Sequence, residues 1–171
     1  IGVFTQNKPE SLFMDFGAFG IRAVTVPLYA TSSEAQVHYI LEDAGIRYLF
    51  VGEQQQYDVA FRVMAISSTL KQIIVFDKEV KLDARDESSI YLDDFLALGK
   101  GGKHQQEVDK RTAESQKEDL MNILYTSGTT GESKGVMLSH SGYESVMDAH
   151  IERFPGFGEN DVVINFLPFT H

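Results

Sequence analysis

In the first 76 residues, short runs suited to strands take turns with segments of helical period, and this alternation leaves few folds open. The strand-like runs are "GVFT" at residues 2–5, "AVTVPL" at 23–28, "YLFV" at 48–51 and "IIVF" from Ile73. Between the first two, Asn7 with Glu10 three residues later offers a capping box; Leu12, Phe16 and Phe19 then share one helix face, and Gly20 supplies a stop. Pro27 brings the second strand towards its end. Ser33 with Gln36 offers a second capping box, Val37, Ile40, Leu41 and Ala44 recur at helical spacing, and Gly45 closes that helix. A third helix is expected over about 55–66. Strand and helix in turn, with short connections, predict an α/β fold: a parallel, doubly wound sheet of βαβ units with helices on both faces.

From residue 77 to 118 acidic and basic residues crowd together around a flexible "GKGGK". We expect a solvated excursion carrying one or two surface helices. "MNILY" then returns to the sheet, "GVMLSH" reads as a further strand, and Ser141 with Glu144 offers a cap for a helix to about Phe154. "DVVINFLP" reads as a last strand, broken by Pro168, with His171 just beyond. The 171 residues suffice for one domain with a real core, and the absence of cysteine excludes disulfides and thiolate metal sites. A net charge of -10 argues against nucleic acid as a partner. Arg22 and Arg47 interrupt the best apolar stretches, so no membrane span of the roughly 20 residues required is expected.

The stretch "TSGTTGESKG" at residues 126–135 carries the chemistry. Gly128, Gly131 and Gly135 permit backbone angles that let consecutive amides turn inward as a cluster of donors. Thr126, Ser127, Thr129 and Thr130 add hydroxyls, and Lys134 adds a mobile positive charge. Hydrogen bonds to a charged group contribute roughly 1.5 to 3 kcal/mol each. A lysine about 4 Å from a phosphate oxygen gains roughly 4 kcal/mol at an intermediate effective dielectric. Such a set suits an anion with many oxygens, and a triphosphate fits best. Eight specified positions in T-S-G-T-T-G-x-x-K-G arise by chance less than about once in 10⁹ starts, which disfavours an ordinary polar hairpin loop. A Walker loop is excluded because Ser133 precedes Lys134, Gly135 follows it, and the next segment is strand-like.

These residues carry a resemblance. "YTSGTTGESKGVMLSH" resembles the phosphate-binding signature of the adenylate-forming, or AMP-binding, superfamily of acyl-CoA synthetases, luciferases and peptide-synthetase adenylation domains. "FLPFTH" at 166–171 looks like its next motif, L-P-x-x-H, and the region 23–51 is similar to long-chain fatty acyl-CoA synthetases. The resemblance covers nearly the whole chain. It implies ATP-dependent activation of a fatty acid to acyl-AMP and transfer to coenzyme A, giving acyl-CoA, AMP and pyrophosphate. Position by position, it implies that Thr126 contacts Mg²⁺ and phosphate, that Ser127, Gly128, Thr129, Thr130, Gly131, Lys134 and Gly135 cradle the phosphates, and that His171 sits beside the adenylate and acyl pocket, with Lys134 and His171 in catalytic roles. His140 reads as structural, His38 and His150 as ordinary helix positions, and His104 as part of the charged excursion.

The family has proline where this chain has Ser133, which leaves more freedom to be ordered on binding, costing up to about 1 kcal/mol. Glu132 is expected to point outward. We expect the chain to be part of a large N-terminal AMP-binding domain: βαβ units over 1–76, the excursion over 77–118, the phosphate-loop region over 119–171, and the C-terminal domain absent. The family's adenine-binding segment, magnesium-binding glutamate, ribose-binding aspartate and the lysine of its C-terminal domain are expected downstream. Accordingly the chain alone is expected to be inactive and to self-associate through apolar edges. A cytoplasmic location, with peripheral membrane association allowed, is expected, and no export signal is read at the start. Alternatives are an enzyme that adenylates an acyl, aryl or amino acid for another acceptor, and a non-catalytic nucleotide-binding module.

Overall fold

A computed structural model describes residues 1–126, 133–156, 158–162 and 164. β1 (Gly2–Phe4) leads through α1 (Pro9–Phe19) to β2 (Val26–Leu28), and α2 (Glu34–Asp43) carries the chain to β3 (Tyr48–Val51). Next come α3 (Gln54–Met64), β4 (Gln72–Val75), β5 (Ile90–Tyr91), α4 (Leu92–Ala97) and α5 (Gln105–Ala113). An antiparallel hairpin of β6 (Leu120–Thr126) and β7 (Lys134–Ser139) precedes α6 (His140–Arg153).

The first five strands form one parallel sheet in the order β2-β1-β3-β4-β5. On one face Phe4, Leu49, Val51, Ile73 and Val75 pack against Val37, Ile40 and Leu41 of α2 and Tyr57, Ala60 and Val63 of α3. On the other face Phe50 meets Phe95 of α4 edge-on at 5.4 Å, and Phe13, Met14 and Ala18 of α1 line the same cleft. Helices therefore cover both faces, as the alternation predicts. The strand order reverses between β1 and β3, a point where open α/β sheets commonly leave a crevice. Here Glu53 spans it, accepting from the Gln6 amide at 3.2 Å and pairing with Lys8 at 3.3 Å.

The cap expected at Ser33 is formed: its hydroxyl accepts from the Gln36 amide, the Gln36 side chain accepts from the Ser33 amide, and Gly45 follows with φ of 63°. The cap expected at Asn7 is not. Pro9 is pre-set for the first helical position, so Lys8 becomes the cap residue and Asn7 falls outside it. α1 turns Ser11 and Ala18 inward and leaves Phe13 and Phe16 70% or more exposed. Gly20 ends α1 in right-handed geometry, and the left-handed position falls on Arg22 (φ 59°). The Arg22 guanidinium donates to both oxygens of Asp119 at 2.8 and 2.9 Å, which offsets the strain of that backbone.

Residues 77–118, where one or two surface helices are expected, hold α4 and α5 and also a strand that composition hid. β5 pairs with β4, and the Tyr57 hydroxyl donates to Asp86 at 2.7 Å and accepts from the Asp83 amide at 2.8 Å, so this segment is stitched to the core. Burial, reinforced by Asp86, holds the Tyr57 phenol above its ordinary pKa. The cap of α6 also differs from expectation. Ser139, not Ser141, accepts from the Gly142 amide, while Glu144 pairs with Lys117 at 2.7 Å. The last expected strand lies mostly outside the described residues.

The hairpin joins the sheet at one parallel bridge. The Thr25 amide donates to the Met121 carbonyl at 3.1 Å and the Ile123 amide donates to the Thr25 carbonyl at 3.0 Å. The next β2 residue facing β6 is Pro27, which has no N–H, so the ladder stops there. Asn122 reinforces the bridge by donating from its side chain to the Thr25 hydroxyl at 2.6 Å, both residues being buried. Among the described residues no helix is long and apolar enough to cross a membrane.

Two measurements follow from these contacts. Thr25→Val strands the Asn122 amide in the interior and is expected to lower unfolding stability by about 1–3 kcal/mol in urea titrations. Glu42 accepts from the hydroxyl of Ser67 at 2.6 Å, from the hydroxyl of Ser68 and from the Ser68 amide at 2.9 Å, which lowers its pKa from 4.5 to about 2. Because the folded value is the lower one, this stabilisation is present above 4.5 and drains away as pH falls towards 2. Glu42→Gln is expected to flatten the pH dependence of the urea midpoint across that window.

Candidate functional site

The ladder between β6 and β7 sets the geometry of the phosphate-loop candidate. Thr126 pairs directly with Lys134, and Tyr125 with Gly135. Directly opposed residues share a face, with Cβ atoms about 4.5–5.5 Å apart, so the Thr126 hydroxyl and the Lys134 side chain stand together where the hairpin opens into its loop. Both are exposed, and Lys134 pairs with no carboxylate among the described residues. Ser127, Gly128, Thr129, Thr130 and Gly131 lie outside the described residues, as does His171. The structure thus brings Thr126, Lys134 and Gly135 together.

Successive side chains on a strand alternate, so the residue next to Thr126 points the opposite way, into the protein. That residue is Tyr125, 6% exposed. Its hydroxyl donates to Asp43 Oδ2 at 2.5 Å, and its ring meets Tyr39 edge-on with centroids 6.4 Å apart. Burial, then the neighbouring Asp43 carboxylate, pushes the phenol above its ordinary pKa and keeps it a donor.

Gly135 has a role other than the one the loop chemistry suggests. Its φ is not among the positive values, so no left-handed backbone requires glycine there. A Cβ at this position would stand 2.8 Å from Ile123 Cγ2 and 3.2 Å from Tyr125 Cζ. Close approach to Ile123 first, and to the buried tyrosine second, is what disfavours a side chain here.

His140 occupies the first position of α6 and meets the Phe19 ring edge-on at 5.8 Å, a packing role in line with its structural reading. His150 Nδ1 lies 2.8 Å from the Val146 carbonyl within α6, and His38 sits on α2. Among the described residues no group of three histidine or acidic side chains stands ready to hold a metal ion. A cleft of about 750 Å³ between α3 and residues 81–88 lies away from the hairpin and is lined by charges of both signs.

Comparison with known proteins supplies what the hairpin alone does not. The model of the AMP-binding enzyme family matches residues 1–171. The chain belongs to the AMP-binding enzyme family. Among its relatives are human long-chain-fatty-acid–CoA ligase 6, 32% identical over all of this chain and 25% of that protein, and fatty acyl-CoA synthetase A of Dictyostelium discoideum, 32% identical with the same coverage. The chain therefore spans about a quarter of the length of the curated relatives it matches. The AMP-binding fold is shared with ATP-bound MatB from Rhodopseudomonas palustris (TM-score 0.65, 23% identity, 99% of this chain and 30% of that one). It is also shared with the anthranilate CoA ligase AuaEII in complex with anthranoyl-AMP (TM-score 0.65, 22% identity, 86% of this chain and 26% of that one).

Sequence reasoning missed Tyr125, Asp43 and the Thr25–Asn122 pair. Asn122 left a signal: an amide inside the apolar run "LMNILY" has to find a buried partner. Gly135→Ala forces a methyl group against Ile123 and Tyr125. It is expected to cost about 1–3 kcal/mol of stability, read from the thermal or urea midpoint.

Proposed function

We propose that the full-length protein activates a long-chain fatty acid with ATP and passes the acyl group to coenzyme A. In the first step a carboxylate oxygen attacks the α-phosphorus, the bond from that phosphorus to the bridging oxygen breaks, and pyrophosphate leaves as acyl-AMP forms. In the second the thiol sulfur of coenzyme A attacks the acyl carbonyl carbon, its proton is lost, and AMP departs. The observation that carries this reading is the pairing of Thr126 with Lys134 at the mouth of a loop whose sequence runs S-G-T-T-G. The family match and the fatty-acid ligases among the relatives support the choice of acid.

Within this reading Lys134 meets the negative charge that grows on the departing pyrophosphate, and the residues 127–131 add donors around it. An exposed lysine with no carboxylate paired to it among the described residues has its charge available for that purpose. Mg²⁺ takes oxygen ligands, keeps several waters and is commonly shared between one or two protein groups and substrate phosphates. A single exposed hydroxyl, Thr126, suits that pattern, and Mg²⁺ when bound neutralises charge on the phosphate oxygens. His171 takes its place beside the adenylate and the acyl pocket. The chain taken alone, a quarter of its relatives' length, is proposed to turn over nothing and to self-associate. The whole protein is proposed to be cytoplasmic or membrane-peripheral.

Labelled-pyrophosphate exchange into ATP by the full-length protein tests the reading. Exchange is expected only with a fatty acid present, and Lys134→Ala is expected to lower the rate by about 10²- to 10³-fold, the cost of removing one charge-stabilising donor. Absence of exchange with every carboxylic acid tried overturns the function. Exchange supported by aryl or amino acids alone overturns the fatty-acid assignment, and full exchange by Lys134→Ala removes the lysine from the mechanism.

A further inference from the structure

Asp43 is the last residue of α2, and no basic residue occupies that helix's last turn. The C-terminal end of a helix carries partial negative charge, so a carboxylate there is unfavourable unless something offsets it. Its neighbour Glu42 is offset by the donors of Ser67 and Ser68. Asp43 is offset by Tyr125, whose hydroxyl lies 2.5 Å from Oδ2, at the short end of the range for a phenol donating to an ionised carboxylate.

That bond falls where the hairpin has no backbone hydrogen bond to the sheet. The bridge to the sheet is at Thr25 and Asn122, and Pro27 ends it, so residues 124–126 and 134–136 receive no ladder hydrogen bond from β2. Tyr125 sits between those regions: it precedes Thr126 in the chain, pairs across the ladder with Gly135, and so adjoins both Thr126 and Lys134. Gly135 spares the ring a Cβ that would stand 3.2 Å from its Cζ.

Resting on the adenylating function above, we propose that the Asp43–Tyr125 hydrogen bond is a positioning latch that fixes the mouth of the phosphate loop against α2. Neither residue touches the nucleotide. Tyr125 holds the strand end, and the strand end holds Thr126 and Lys134 where a polyphosphate can meet both. A displacement of about 1 Å at groups that must meet a reacting phosphate costs up to about 10²-fold in rate, which gives a distant hydrogen bond its leverage.

Steady-state kinetics of the full-length protein test the latch. Tyr125→Phe and Asp43→Ala are each expected to raise KM for MgATP about tenfold, the size of one hydrogen bond to a charged group, with KM for the fatty acid unchanged. Asp43→Asn keeps an accepting oxygen and is expected to restore KM for MgATP to within about threefold of wild type. The double variant Tyr125→Phe with Asp43→Ala is expected to be no worse than either single change, as for two halves of one interaction. An unchanged KM for MgATP in Tyr125→Phe overturns the latch. So does an equal loss for both substrates with no rescue by Asp43→Asn, which marks a general fold defect. Absence of exchange in the wild-type protein is a separate result that overturns the function on which the latch rests, and it is seen before any variant is compared.

Discussion

Everything on the loop side of this molecule depends on a junction one residue wide. Thr25 exchanges two backbone hydrogen bonds with β6, Asn122 secures its hydroxyl, and then Pro27 withholds the amide that would continue the ladder. A proline in a strand is tolerated at an edge, and here the edge is where the hairpin must attach. The parallel sheet supplies most of the core, sealed by α2 and α3, and the hairpin adds Tyr125 to it with Ile123 packed alongside. Past the bridge its placement falls to side chains, which is why a tyrosine and an aspartate 82 residues apart matter to the loop.

The first 76 residues were legible because period, propensity and capping pointed one way. The Ser33 box, the run Val37–Ile40–Leu41 and Gly45 each imply the same helix, and the helix is there. Asn7 and Glu10 satisfied the same box pattern and failed, because Pro9 between them moved the start of α1 by one position. β5 was invisible for another reason. Two residues have no period, and the charges around them belong to the surface while Tyr57 reaches out from the core to hold the segment down.

The candidate site divides in the same way. Glycines, hydroxyls and a lysine in one loop are read as a polyphosphate site because few other anions present so many oxygens. What positions that loop was not legible, since Tyr125 reads as one more apolar residue of a buried strand until its hydroxyl is seen on Asp43. Even Gly135, counted with the loop for its backbone freedom, sits where Ile123 and then the Tyr125 ring crowd the space a side chain would take. Motifs record the groups that meet the ligand. The contacts that aim those groups are long-range, and a spacing pattern does not carry them.

Charge shows why aim matters here more than attraction. The chain carries -10 overall, so its field at a distance opposes an approaching nucleotide. Many of its cations are already committed: Lys8, Arg22, Arg62, Lys78, Arg85, Arg111 and Lys117 each face a carboxylate. Lys134 is not so committed among the described residues, and it need not break an ion pair before it meets a phosphate. Mobile ions screen the unfavourable field beyond about 8–10 Å, while a direct lysine–phosphate contact lies well inside that length. Under the proposed function, recognition at this loop is therefore a short-range matter, decided by where Thr126 and Lys134 stand relative to each other. That separation is set by the ladder they share and by the tyrosine beneath it.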